Sequence, residues 1–93
     1  MTFRSEAIAR ALLAKGFREV QGRHRKFILW HQGKPTSIRT ELSHGSKEVG
    51  APLLSMMKRQ LRLETIDQLK ALIECPMEGE DYIAFLKNKG VTL

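Results

Sequence analysis

Between Phe17 and Ser43 the chain reads FREVQGRHRKFILWHQGKPTSIRTELS, three runs of β-forming residues separated by two turn signals. Phe17 to Gln21 is a short run, and Gly22-Arg23 follows it as a turn. His24 to His31 holds Phe27, Ile28, Leu29 and Trp30, the aromatic and branched side chains that suit a pleated surface. Gln32-Gly33-Lys34-Pro35 is the second turn signal. Thr36 to Ser43 alternates, with Ile38, Thr40 and Leu42 on one face and Ser37, Arg39 and Glu41 on the other. Turns this short join antiparallel neighbours, so the three runs are expected to form an antiparallel meander.

Helical patterns flank the strands. Ser5 to Lys15 places Ile8 and Leu12 four apart, with Ala9 and Leu13 alongside. Ser5 is its expected N-cap, and Glu6 suits the positive end of the dipole. Gly16 then stands at the C′ position, with Phe17 ready to fold back on Leu12. His44-Gly45-Ser46 breaks the strand pattern, and Pro52 marks the start of a second helix with Leu53, Leu54, Met57 and Leu61 as its stripe. Thr65-Ile66-Asp67-Gln68 fits a capping box, after which Ile66, Leu69, Leu72 and Ile73 recur at helical spacing up to Cys75-Pro76. A last helix is predicted from Gly79 to Asn88, with Tyr82, Phe85 and Leu86 as its face and Gly90 behind it.

The order α-β-β-β-α followed by α-α predicts an α+β sandwich, with a three-stranded antiparallel sheet and both main helices on one face. Double-stranded-RNA-binding domains share this layout. The 93 residues suit a single domain, which at this size buries roughly 60–65% of the surface of its unfolded chain. Deep tunnels and separate cofactor domains are thereby disfavoured. A single cysteine, Cys75, excludes an internal disulfide and fits a reducing cytosol. No run is long enough to span a bilayer, and Arg4, Glu6 and Arg10 interrupt the first fourteen residues, unlike a signal peptide or an anchor. A cytoplasmic location is the expectation.

The formal net charge of +6 is unevenly divided. Residues 1–63 carry 13 Lys or Arg against 4 Asp or Glu, a net +9, whereas residues 64–93 carry 3 against 6, a net −3. The chain is therefore read as a basic core, 1–63, with an acidic helical extension, 64–93, packed on the same domain. A basic body attracts polyanions through its summed field and through counterion release.

The histidines sharpen that reading. RNA brings its own nucleophile, the ribose 2′-OH. Cleavage then needs a base for that proton, an acid for the leaving 5′-oxygen, and positive charge around the phosphorane. Imidazole suits both proton transfers near neutral pH, and Arg or Lys supplies the charge. His24, set among Arg23, Arg25 and Lys26, has these ingredients locally. Alternation places His24 and Lys26 together on the open face of the sheet and turns Arg25 toward the helix side unless it reaches out at the strand end. His44 is the candidate for a second proton-transfer group, with a loop hydrogen-bonding role favoured for it, and His31 reads as structural or exposed. The three histidines and Cys75 lack the paired spacing of a zinc site, and Cys75 has no evident histidine partner.

Gly16-Phe17 followed by Gly22-Arg23-His24-Arg25-Lys26-Phe27 resembles the HicA (YcfA-like) toxin family, small RNA-cleaving proteins of toxin–antitoxin pairs. That family shows a Gly-Phe or Gly-Trp after its first helix and Gly-Ser-His-x-x-Phe at its second strand. Arg23 stands here in place of the serine. The stretches from Ser43 to Glu48 and from Leu54 to Leu61 resemble the approach to the family's closing helix and that helix itself, so the likeness covers about residues 4–63. The resemblance implies a metal-independent, cofactor-free mRNA endoribonuclease with His24 as the acid/base residue, silenced by a HicB-like antitoxin. Arg23, Arg25, Lys26, Arg39, Lys47 and Lys58 are the RNA-contact candidates. A non-catalytic RNA- or DNA-binding module is the second reading, and a protein–protein adaptor the third. Ile28 and Trp30 on the open face would leave an apolar patch, for which an antitoxin, a second copy or the chain's own extension are the expected covers, the extension being favoured.

Overall fold

The protein is described by a computed structural model covering residues 2–45, 47–74 and 77–93. The chain order is β1 (Phe3–Arg4), α1 (Ser5–Ala14), β2 (Phe17–Val20), β3 (Arg25–His31), β4 (Lys34–Leu42), β5 (Glu48–Val49), α2 (Ala51–Gln60), α3 (Ile66–Ile73) and α4 (Gly79–Asn88). Strands β2, β3 and β4 form the antiparallel meander, in that order. Its register pairs Phe17 with Leu29, Val20 with Lys26, and Phe27 with Thr40. The second hairpin turns on Gln32 and Gly33, whose φ angles of 53° and 78° are the pair of positive values a tight two-residue turn requires. Strand β4 therefore begins at Lys34 and includes Pro35, which an edge strand tolerates because it has a side without ladder donors.

A second, two-stranded ribbon was not legible in the sequence. Phe3 pairs with Val49 and Arg4 with Glu48, and the Ser5 N–H donates to the Lys47 carbonyl at 2.9 Å. The ribbon ties the start of α1 to the approach of α2. It also moves the cap of α1. Arg4, not Ser5, occupies the N-cap, so the Ser5 hydroxyl caps nothing and lies buried without a hydrogen-bond partner among the described residues. The other helix signals hold. Gly16 takes a φ of 102° behind α1, a left-handed conformation that favours glycine. Helix α2 starts at Ala51, one residue before Pro52. Helix α3 carries the full capping box, with Gln68 N–H donating to Thr65 Oγ1 at 3.1 Å and the Thr65 N–H to Gln68 Oε1 at 3.2 Å. Helix α4 has the predicted bounds. The Cys75-Pro76 stop, and the role of Ser46 in the break after β4, lie outside the described residues.

The inward face of the meander presents Phe17, Phe27, Leu29, Ile38, Thr40 and Leu42, all buried. They join Ile8 and Leu12 of α1 and Leu54 and Met57 of α2 in one core. Thr40 Oγ1 donates to Gln60 Oε1 at 2.6 Å, satisfying a buried hydroxyl and pinning α2 to β4.

The extension does not cover the open face of the sheet, as was favoured from the sequence. It completes the helix side. Leu69, Leu72, Ile73, Tyr82 and Leu86 belong to the same core as the residues before position 64. Helix α3 lies against α1 and α2. Tyr82 stacks on Phe17, with ring centroids 6.0 Å apart, and its hydroxyl donates to the Leu61 carbonyl at 2.6 Å. Burial pushes that phenol well above its usual range. Lys15 is buried, and its Nζ donates to the Leu72 carbonyl at 2.6 Å, placing a cation in the last turn of α3, where the dipole favours it. The physical reason is hydration. Ile73, Tyr82 and Leu86 are buried on the apolar helix side, whereas the outward face interleaves Arg18, Lys26 and Arg39 with its apolar residues, and those cations would lose hydration under a cover. Replacing Tyr82 by Phe keeps the stack and orphans the Leu61 carbonyl, for an expected loss of about 1–2 kcal/mol. Urea denaturation, read as a lower midpoint with unchanged slope, checks it.

Candidate active site

The connection from β2 to β3, residues 21–24, sets the position of His24. Strand β3 begins at Arg25, so His24 precedes the ladder instead of alternating within it. Its side is exposed, and it borders a hollow of about 220 Å³ whose other walls are Glu41, Leu42 and Ser43 from the end of β4, and Leu53, Met56 and Gln60 from α2. The sequence reading starts this strand at His24, whereas the ladder starts one residue later because the turn consumes His24. Lys26 lies on the open face opposite Glu41, and Glu41 is also part of the wall of the His24 hollow, to which α2 adds Leu53, Met56 and Gln60.

His44 binds the same loop. Its Nε2 lies 3.0 Å from the Gly22 carbonyl oxygen, so Nε2 carries the proton in this contact and donates it. The arrangement matches the loop-holding role favoured for His44. His31 is half-buried at the far end of β3, at the hairpin turn.

Arg25, expected among the phosphate contacts and turned by alternation toward the helix side, is held by two carboxylates. Its Nε donates to Glu19 Oε2 at 2.8 Å, its Nη2 to Glu19 Oε1 at 3.1 Å, and its Nη1 to Glu6 Oε1 at 2.7 Å. The fork geometry clamps the β2–β3 hairpin to the start of α1. The hydrogen bond from Arg25 is the chief cause holding the Glu19 carboxyl below its ordinary range; burial opposes it, and the charge of Arg25 and an amide hydrogen bond from Gln21 add to it. Because the folded value is depressed, the contribution of Glu19 is present above about pH 4.5 and is lost as pH falls through the folded value. Arg25→Gln is expected to cost about 1 kcal/mol at pH 7, the pair being largely but not wholly shielded. The variant should also show a shallower loss of stability below pH 4.5, measured by denaturation across an acid series.

The remaining basic candidates fall into separate groups. Lys26 and Arg39 project from the open face, together with Arg18, whose guanidinium stacks over Trp30 at 3.8 Å from the ring centroid. Val20, Ile28 and Trp30 lie on the same face, none of them buried. Arg23 is exposed in the loop beside His24, and Lys58 is half-buried on α2. Lys47 lines a larger hollow of about 730 Å³ at the start of α1, with Arg4, Arg10 and Arg25. Three residues lining the two hollows carry no site signal in the sequence. Glu41 is the carboxylate in the wall of the His24 hollow, having been read only as an outward strand position. Arg4 and Arg10 count in the sequence only toward the basic charge and as interruptions of the first fourteen residues. Nothing in their local spacing marks either, since the chain separations from His24 are bridged by the meander and the β1–β5 ribbon. Among the described residues no group of three or more His, Cys, Asp or Glu is placed to hold a metal ion. No helix among them is long and apolar enough to cross a membrane.

Comparison of the chain with protein-family models, with curated proteins and with solved structures gives no match.

Proposed function

We propose that the chain is an endoribonuclease of the HicA type, in which His24 transfers protons during attack of a ribose 2′-OH on the adjacent phosphorus. The observation that carries the reading is the position of His24. It stands exposed, in Gly22-x-His24-x-x-Phe27, on the lip of a hollow open to solvent, with the Arg23 guanidinium next to it in the chain. The 2′-oxygen forms a bond to phosphorus and the bond to the 5′-oxygen breaks, leaving a 2′,3′-cyclic phosphate and a free 5′-hydroxyl. The base receives the 2′ proton and the acid supplies one to the 5′-oxygen. His24 is assigned one of these roles, and Glu41, in the same hollow, is the group available for the other. His44, already bound to the Gly22 carbonyl, acts through the loop as a positioning residue. The reaction calls for no cofactor, because the nucleophile belongs to the substrate and cationic side chains answer the developing charge.

We read the layout of helix, meander and closing helix as resembling a double-stranded-RNA-binding domain, to which the chain adds the β1–β5 ribbon and the two helices of its extension. With the extension on the helix side, the open face of Arg18, Val20, Lys26, Ile28, Trp30 and Arg39 is the proposed seat of an acidic HicB-like antitoxin. A second copy of the chain is the alternative cover, and a cytoplasmic toxin–antitoxin pair is the setting this function implies. The second reading, a non-catalytic RNA- or DNA-binding module, is favoured by the absence of Arg39 and Lys58 from the lining of the His24 hollow, since binding needs no common centre. Incubation of a long RNA with the purified protein in excess chelator separates the two. Cutting that depends on His24 supports the nuclease, and salt-sensitive retention without cutting supports the binder.

A further inference from the structure

The 730 Å³ hollow at the start of α1 has a chemistry distinct from the His24 hollow. Arg4, Arg10, Arg25 and Lys47 line it, against a single carboxylate, Glu6. Glu6 and Glu19 already hold Arg25. Among the described residues, Arg4, Arg10 and Lys47 have no ion-pair partner within 4.0 Å. Ser5 forms part of the same wall, 3% exposed, with its Oγ unpartnered. The Glu6 and Ala7 N–H groups stand at the second and third helical positions of α1, where no intrahelical acceptor exists and where no side chain caps them. Three cations without ion-pair partners and two open amide donors line one concavity, with the buried, unpartnered Ser5 hydroxyl belonging to a residue of its wall. Such a set suits a tetrahedral oxyanion.

The geometry points to a phosphate-binding subsite in this hollow, formed by Arg4, Arg10 and Lys47 with the start of α1. Ser43 lines both this hollow and that of His24, and Arg25 in its wall directly follows His24. A polynucleotide crossing Ser43 would thus set one backbone phosphate among the cations and present a neighbouring one to His24. That the phosphate belongs to RNA rests on the ribonuclease reading; the anion site itself does not. The subsite gives Arg4 and Arg10 a role that composition alone left as general surface charge, and it explains why Arg25 is tied back by Glu19 and Glu6: its fixed guanidinium forms a wall of the site while its charge is answered within the protein.

The test uses the full-length chain and two probes. Inorganic phosphate is titrated at constant ionic strength, with chloride as the balancing anion, and the amide signals of Glu6 and Ala7 are followed by NMR. A 2′-O-methyl oligoribonucleotide, which cannot be cut, is then bound across a salt series. Phosphate should shift both amides in the wild type and leave them unmoved in the Arg4→Gln, Arg10→Gln double variant. The double variant should also bind the oligonucleotide about tenfold more weakly, with a salt slope reduced by roughly 1.4, about 0.7 for each lost contact to a single strand. If the double variant does not fold, Lys47→Gln carries the same comparison with about half the change in slope. Absence of amide shifts with phosphate in the wild type overturns the site. Shifts with phosphate but an unchanged oligonucleotide slope overturn RNA as the source and leave free phosphate as the ligand. Failure of the ribonuclease reading looks different: the slope falls as expected, yet RNA with its 2′-OH is never cut.

Discussion

His24→Ala is expected to lower the rate of RNA cleavage by about 10²–10⁴-fold while leaving RNA affinity within a few-fold of wild type. The magnitude is that of one positioned acid or base. The affinity persists because binding draws on Arg and Lys side chains spread over the surface, each answering a phosphate. The fold should not suffer, since His24 is exposed in a turn and outside the ladder. Single-turnover cleavage of a labelled RNA in chelator, beside filter binding of the same RNA, reads both quantities. Equal cleavage by the variant and the wild type would remove the catalytic assignment. An equal fall in affinity and rate would make His24 a binding residue. A Glu41→Gln variant adds a second reading. If Glu41 supplies the other proton transfer, its loss also costs about 10²-fold and changes one limb of the pH–rate profile; if it only lines the hollow, the profile keeps its shape.

Truncation after Leu63 is expected to abolish folding. The extension contributes Leu69, Leu72, Ile73, Tyr82 and Leu86 to the core, each worth about 1.5–3 kcal/mol of burial. Together they come to about 7.5–15 kcal/mol, comparable with the whole stability of a small domain, about 5–15 kcal/mol. Truncation also strips the partner from the buried Lys15 Nζ and uncovers the face of Phe17. An uncompensated buried ammonium adds to the loss. Residues 1–63 alone should therefore show neither near-ultraviolet dichroism nor a cooperative urea transition, whereas the full chain shows both. A cooperative transition in the fragment would restore the division into a self-sufficient core and an accessory tail. The single substitution Tyr82→Ala samples the same interface, with an expected cost of about 3–5 kcal/mol from the lost ring and the cavity behind it.

The secondary structure was largely legible because its signals are local. The bounds of α4, the capping box of α3, the left-handed Gly16 and the inward set of Ile38, Thr40 and Leu42 depend on residues a few positions apart. The β1–β5 ribbon was not legible. Two-residue strands have no period to read, and their pairing of Phe3 with Val49 joins segments distant in the chain. The candidate site divides in the same way. His24 stood out through its neighbours Gly22, Arg23 and Phe27, but its company in space is Glu41, Met56 and Gln60, which no spacing announces.

By itself, the sequence determined three things: an α+β class, the strand and helix order, and a basic first part in which His24 stands among Arg23, Arg25 and Lys26. These follow from backbone propensity and formal charge, which each residue brings regardless of its partners. The tertiary structure decided which basic residues remain free to meet an anion and where the acidic extension goes. Arg25 is paired with Glu19 and Glu6, Arg4 and Arg10 stand together in one hollow, and the extension closes the helix side of the core, leaving the outward face of the sheet open. Both outcomes rest on burial and pairing between residues far apart in the chain. Desolvation and Coulomb energies depend on distance in space, and only the folded arrangement supplies that distance.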